Sequence, residues 1–225
     1  MDEFARTPEA SDRPSLKPTA GANGPRRISY AGGRSALAGL VLFAAAAQSM
    51  LVTMLAGAMA PGYSLNDNAI SDLGVIPQTA ALFNASVIAT GILTAIGGFL
   101  LAPWLQRRWV VIVFALAGAG SIGVGLAPVE VSPRTHEWLA VAAFLGFTLL
   151  PAACARELVG WMRPISVLAA VVGLGYLALI IFGMRVDGTV FGDIGLGGAE
   201  RMVIYPGLLW MLALGGYLMG RSGPQ

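Results

Sequence analysis

The chain has little of what soluble domains and metal sites are built from. It contains one cysteine, Cys154, and one histidine, His136, and charged residues make up only 12% of its 225 residues. A single cysteine excludes an intrachain disulfide, and one histidine with one cysteine leaves only a carboxylate-rich ligand set for zinc. We therefore predict no metal and no cofactor. The net charge of +2 gives no reason to expect a nucleic-acid partner.

The apolar residues are gathered in six long runs that short polar segments separate. Each run is close to the roughly 20 residues that a transmembrane helix needs. The predicted spans are residues 36–60, 79–103, 109–127, 138–155, 165–184 and 202–220. The sequence therefore predicts an all-α fold, an integral membrane bundle of six transmembrane helices with short loops over residues 35–221. Gln48, Ser49 and Asn84 are polar within these runs and should form hydrogen bonds inside the bundle.

Residues 1–34 differ in composition from the rest of the chain. Four prolines lie there among Ser, Thr, Gly and charged residues, so this segment is expected to be a disordered tail. Eleven of the fourteen Lys and Arg residues lie in the tail or at helix ends on the same side of the bundle. The excess of positive charge predicts a multi-pass protein of the cell membrane with both termini in the cytoplasm.

The loops on the opposite, outer side carry most of the polar side chains of the membrane domain. Loop 1, residues 63–74, is the richest of them. Its polar residues within seven positions are Asn66, Asp67, Asn68, Ser71 and Asp72. The spacing of Ile70 and Leu73 predicts a short helix, with Asp67 or Asn68 as its cap.

The two other outer loops end in charged residues directly before a predicted span. His136 precedes the fourth span, and Glu200 with Arg201 precedes the sixth. Tyr205 follows Arg201 by four positions and Trp210 follows Tyr205 by five, which predicts that they continue from the interface toward the core on nearby faces. Because the loops are short, these groups should gather around one end of the bundle.

Three segments of the chain resemble a family catalogued as domain of unknown function 998, which comprises small membrane proteins with about six helices. The matching motifs are NDNAISDLG after the first span, RTHEW before the fourth and GGAERMVIYPGLLW into the sixth. They occur in the right order on the same side of the membrane. The resemblance implies a shared architecture with a shared outer polar site, and it implies no particular reaction.

One hypothesis is an enzyme that acts on a lipid or isoprenoid-like substrate, similar in general design to small membrane terpene cyclases. The proposed catalytic residues are Asp67, Asp72, His136 and Glu200, since a carboxyl group at a dry boundary can keep its proton and act as a general acid. Arg201 would bind an anionic headgroup that Asn66, Asn68 and Ser71 orient, and Tyr205 and Trp210 would face a developing cation. The partner would be a membrane lipid or an apolar small molecule.

The alternative hypothesis is a non-enzymatic binding, sensor or assembly protein whose outer polar cluster is structural. In that case Arg201 would pair with Asp67 or Asp72 and hold loop 1 on the helices. Ion-coupled transport is disfavoured, because no predicted span carries an ionisable group near its middle. Glycine-rich helix faces also leave room for a homo-oligomer.

Overall fold

A computed structural model describes residues 33–186 and 188–221 of the chain. The six long helices are α1 (Gly33–Met59), α2 (Ala80–Leu101), α3 (Arg108–Leu126), α4 (Pro133–Cys154), α5 (Met162–Gly183) and α6 (Gly195–Gly220). All six are long and apolar enough to cross a membrane, so the prediction of a six-helix membrane bundle is confirmed. The predicted tail lies outside the described residues except for Gly33 and Arg34, which begin α1.

Two helices begin five or more residues earlier than the sequence predicts. α4 starts at Pro133 instead of residue 138, because proline is well suited to the first position of a helix. α6 starts at Gly195 instead of residue 202, so that Glu200 and Arg201 lie inside the helix. The predicted short helix in loop 1 is present as a 3-10 helix, Ile70–Gly74, but the expected cap is wrong: Ala69 precedes it and no side chain caps it.

The helices form a ring of five with one helix outside it. α1 contacts α2 and α6, α2 contacts α3, α3 contacts α4, and α4 contacts α6, while α5 packs against both α4 and α6. The beginning of α1 lies against the end of α6, where Gly39 meets Gly215. Both ends of the described chain therefore lie at one end of the bundle. We call the opposite end, where loop 1 lies, the loop 1 end; which side of the membrane it faces stays a prediction.

Small residues and one polar network hold together the four helices α1, α2, α3 and α4. At Gly91, an added Cβ would lie 2.5 Å from the carbonyl oxygen of Gly118, so α2 and α3 are in backbone contact. Gln48 of α1 donates to Thr90 Oγ1 (2.6 Å) and accepts from Ser86 Oγ (2.7 Å) across the α1–α2 contact. The prediction that Gln48 bonds within the bundle is confirmed, and such bonds are valuable where lipid offers no alternative partner.

The close contact between α3 and α4 gives a test of this packing. At Gly120, an alanine Cβ would lie 2.4 Å from the backbone nitrogen of Ala143, whereas at Gly216 it would meet no atom within 4 Å. We expect Gly120→Ala to destabilise the protein by about 1–3 kcal/mol, because the two helices must separate. Gly216→Ala is the matched control and should be neutral or slightly stabilising. Thermal melting in detergent measures both; equal melting temperatures would contradict the packing.

The helices α4, α5 and α6 come into close backbone contact at mid-depth. A Cβ at Gly207 of α6 would lie 2.6 Å from the carbonyl oxygen of Phe147 in α4. At Gly173 of α5, a Cβ would lie 2.8 Å from Thr148 Cγ2 and 3.1 Å from the carbonyl oxygen of Val203. These two glycines bring the three backbones together, and a cavity lies on the loop 1 side of this contact.

Candidate functional site

Loop 1 is fastened to the start of α6 chiefly by Arg201, which is 8% exposed. Its guanidinium donates to the carbonyl oxygens of Leu65 (2.8 Å) and Gly197 (2.7 Å) and to the hydroxyl of Tyr63. The Tyr63 hydroxyl in turn donates to the carbonyl oxygen of Ala69 at 3.0 Å. Burial raises the pKa of the Tyr63 phenol above its usual value, and the charge of Arg201 opposes this shift. Loop 1 and residues 193–201 thus form one unit, which we call the cap.

The glycines at the start of α6 let the loop 1 backbone approach closely. A Cβ at Gly195 would lie 2.2 Å from the carbonyl oxygen of Asn66, and one at Gly197 would lie 2.1 Å from that of Asn68. The Gly197 amide donates to the Asn66 carbonyl oxygen at 2.7 Å. The Asn66 side chain donates to the carbonyl oxygen of Asp193 at 2.9 Å. The glycine-rich sequence before Glu200 therefore serves backbone contact inside the cap.

Glu200 links the cap to the space beneath it. Its Oε2 accepts a hydrogen bond from the backbone amide of Ile70 at 2.8 Å, which holds the first residue of the 3-10 helix. The same side chain lines a cavity of about 550 Å³ inside the loop 1 half of the bundle. This volume is within the range of about 300–1,000 Å³ that suits a small-molecule ligand.

The cavity walls are mostly apolar, with a few polar groups near the cap. All six long helices and the cap contribute to it, and its core-facing apolar residues include Phe144, Phe147 and Leu177. Of the predicted site residues, Ser71, His136, Glu200 and Tyr205 line it together. An apolar cavity with a few convergent polar groups is the usual form of a small-molecule site. The structure thus brings together two of the four predicted catalytic residues.

His136 lies in the first turn of α4 and is 6% exposed. Its Nδ1 is 2.8 Å from the carbonyl oxygen of Ala127. Because a carbonyl oxygen can only accept, Nδ1 carries the proton in the neutral ring, and Nε2 is left with its lone pair. Nε2 has no hydrogen-bond partner among the residues that the structure describes. The ring is therefore held by one nitrogen and can exchange a proton through the other.

Two hydroxyl groups on the α1 wall of the cavity were not predicted as site residues. Ser49 and Thr53 line the cavity one turn apart, and neither forms a hydrogen bond within residues 33–186 and 188–221. The expectation that Ser49 bonds inside the bundle is therefore wrong, whereas Asn84 does so by donating to the carbonyl oxygen of Gly74 at 2.9 Å. The spacing of four in the sequence was the available signal, since it places both hydroxyls on one helix face.

The other predicted residues lie away from the cavity. Asp67 is exposed and accepts from Ser64 Oγ at 2.7 Å. Asp72 accepts from Asn68 Nδ2 at 3.1 Å within the cap and does not line the cavity. Arg201 bonds two carbonyl oxygens and a phenol, none of which is the carboxylate partner that the structural hypothesis expected. That hypothesis is correct in fastening loop 1 and wrong about the ion pair.

Trp210 belongs to a different part of the core. It is 1% exposed, and its indole nitrogen donates to Ser166 Oγ of α5 at 2.7 Å. Nine residues at 3.6 per turn place it half a turn away from Arg201 around α6, so the expectation of nearby faces is wrong for this residue. Within the described ranges, no group of three His, Cys, Asp or Glu residues lies close enough to hold a metal ion.

Comparison with known proteins identifies a family to which most of the chain matches. The model of a family described as "Protein of unknown function (DUF998)" matches residues 43–217, from the middle of α1 to the last turns of α6. No curated protein and no solved structure matches the chain. The matched range includes the cap and every residue that lines the cavity, and it confirms the resemblance that the three sequence motifs indicated.

Proposed function

The chain belongs to the DUF998 family, and we propose that it is a membrane enzyme. Its proposed activity is acid–base chemistry on a lipid or isoprenoid-like substrate. The observation that carries this proposal is that Glu200 and His136 line the same apolar cavity. A carboxyl group and an imidazole are the usual groups for proton transfer in enzymes. The family description supplies no reaction, so the proposal depends on the geometry of this site.

The roles follow from the hydrogen bonds of each group. Glu200 uses one oxygen, Oε2, to hold Ile70, and its carboxyl group can deliver a proton into the cavity. His136 uses Nδ1 to hold Ala127, and its Nε2 can accept a proton there. Tyr205 presents an aromatic ring to the same space, which would stabilise a positive charge that develops on an apolar substrate.

The role of His136 can be tested with two substitutions whose side-chain amides lie near different nitrogens of the original ring. His136→Asn keeps an amide nitrogen near the position of Nδ1 and can still donate to Ala127, but it lacks a group at the position of Nε2. His136→Gln places its amide nearer to Nε2 and cannot transfer a proton from it. We expect both variants to lose turnover by about 100-fold or more, and only His136→Gln to melt at a lower temperature.

The measurement is product formation by purified protein in vesicles, with lipid extracts and prenylated alcohols supplied and all products followed by mass spectrometry. Arg134→Gln, an exposed change in the same turn of α4, is the control and should retain full turnover. Turnover that persists in both His136 variants would remove His136 from the chemistry. Failure of the folded wild-type protein to form any product from the lipid extracts or prenylated alcohols would remove the enzyme proposal.

The second candidate is a non-enzymatic lipid-binding or assembly protein, and the hydrogen bonds of the cap favour it. Arg201 and Glu200 both hold loop 1 through its backbone, which is what a purely structural cluster would do. In this reading the cavity binds a lipid without changing it. Saturable lipid binding with no product in any extract would support this candidate over the enzyme.

A further inference from the structure

The exposure of cavity-lining residues on α4 and α5 indicates that the cavity opens on the side of the bundle, between these two helices. Several residues that line the cavity are also exposed on the outer surface of the bundle. Those on α4 and α5 are Trp138, Val141, Leu145, Ile181 and Met184. All of them are apolar, and their exposed fractions range from 36% at Leu145 to 78% at Met184.

The position of this opening determines what lies outside it. Leu145 is twelve residues into α4, which places it about 18 Å from the start of that helix at 1.5 Å per residue. This depth is within the membrane-spanning segment, where the surroundings are lipid chains. On the loop 1 side, Ile70 and Ser71 of the cap cover the cavity. A molecule dissolved in the membrane therefore reaches the cavity without passing through the cap.

The far wall of the cavity provides hydrogen-bonding groups for such a molecule. Among the described residues, α1 packs chiefly against α2 and α6 and not against the helices that flank the opening, so Ser49 and Thr53 lie across the cavity from it. Both side chains are 8% exposed and form no hydrogen bond within the described parts of the chain. Their hydroxyl groups are accessible from the cavity, so a ligand that supplies an acceptor or donor there gains hydrogen bonds on binding.

We infer that the cavity is a side-entry site for a single-chain membrane lipid that carries a hydroxyl-like polar group. The polar group enters first and bonds to Ser49 and Thr53, and the apolar chain occupies the opening between α4 and α5. This inference rests on the proposed function for its choice of site and names the substrate class and its route. Bound in this way, the lipid occupies the same cavity that Glu200 and His136 line.

The test uses a photoreactive farnesol, with a diazirine on its chain, and the same reagent without the hydroxyl group. Both are added to vesicles that contain the full chain, and the labelled residues are mapped by mass spectrometry. We expect the farnesol probe to label the cavity saturably, with competition by unlabelled farnesol. Ser49→Ala and Thr53→Val should each weaken its binding about fivefold, the effect of one hydrogen bond, and should not weaken binding of the hydrocarbon.

The opening is tested by Ile181→Trp, which fills it with a larger apolar side chain. This variant should reduce cavity labelling at least fivefold. Leu168→Trp is the matched control, since Leu168 is 65% exposed on α5 and does not line the cavity. Equal labelling in Ile181→Trp and Leu168→Trp, or labelling that never saturates, would overturn the side-entry inference.

Labelling requires no turnover, so the two proposals can fail separately. If Ile181→Trp and the hydroxyl variants behave as expected while no product forms with any lipid, the side-entry site stands and the enzyme proposal falls. If Glu200→Gln and His136→Asn abolish turnover while the Ile181→Trp cavity is labelled normally, the enzyme proposal is supported and the side-entry inference is wrong.

Discussion

Glu200→Gln is expected to lower turnover by about 100-fold or more while the protein remains folded. General acid–base groups typically contribute factors of about 10² to 10⁴ to a rate. Glutamine retains an oxygen that accepts the hydrogen bond from the Ile70 amide, so loop 1 stays attached. Its amide is far too weak an acid to transfer a proton. The substitution therefore separates the chemical role of Glu200 from its structural one.

The assay for this variant compares product formation per folded molecule with the melting temperature of the same preparation. Glu130→Gln is the matched control, because Glu130 is an exposed carboxylate of the loop before α4 and does not line the cavity. The control should match the wild type in both measurements. A Glu200→Gln protein that turns over at the wild-type rate would show that Glu200 serves only to hold the cap.

Arg201→Met is expected to cause the largest loss of stability, about 3 kcal/mol or more. The substitution leaves the carbonyl oxygens of Leu65 and Gly197 and the Tyr63 hydroxyl without their donor. Each buried acceptor that loses its partner costs about 1–3 kcal/mol. Loop 1 would then detach from α6, and the cavity would open toward the loop 1 end.

Thermal melting and limited proteolysis of loop 1 measure this effect. Arg185→Met, an exposed change at the end of α5, is the control and should alter neither. Tyr63→Phe should have an intermediate effect, since it removes one of the three acceptors and the bond to Ala69. If Arg201→Met and Arg185→Met have the same melting temperature, the guanidinium of Arg201 does not hold the cap.

The six helices could be predicted from the sequence because lipid imposes a simple rule of length and polarity on every span. The same rule misplaced the start of α6. It places Glu200 and Arg201 outside the apolar span. Both lie inside the helix, where hydrogen bonds to the loop 1 backbone compensate for their loss of water. Those partners are about 130 residues away in the chain, so no local pattern indicates them.

The cavity could be predicted only in part. Its polar rim was anticipated from His136 and Glu200, which immediately precede the spans predicted from hydropathy. Its depth depends on Gly173 and Gly207, which bring α4, α5 and α6 together at mid-depth. Glycines in membrane helices indicate close contact, but the sequence does not show which helices are neighbours. For the same reason, the sequence predicts a hydrogen bond inside the bundle for Ser49 and not a free hydroxyl on a cavity wall.

The most direct test of the central claim is to ask from which phase Glu200 can be reached. Dicyclohexylcarbodiimide dissolves in the membrane and modifies carboxyl groups there, whereas a water-soluble carbodiimide reacts from the aqueous side. The account predicts that the membrane-soluble reagent modifies Glu200, that farnesol slows this reaction, and that Ile181→Trp slows it as well. Modification of Glu200 by the water-soluble reagent alone would contradict a lipid-accessible cavity beneath the cap.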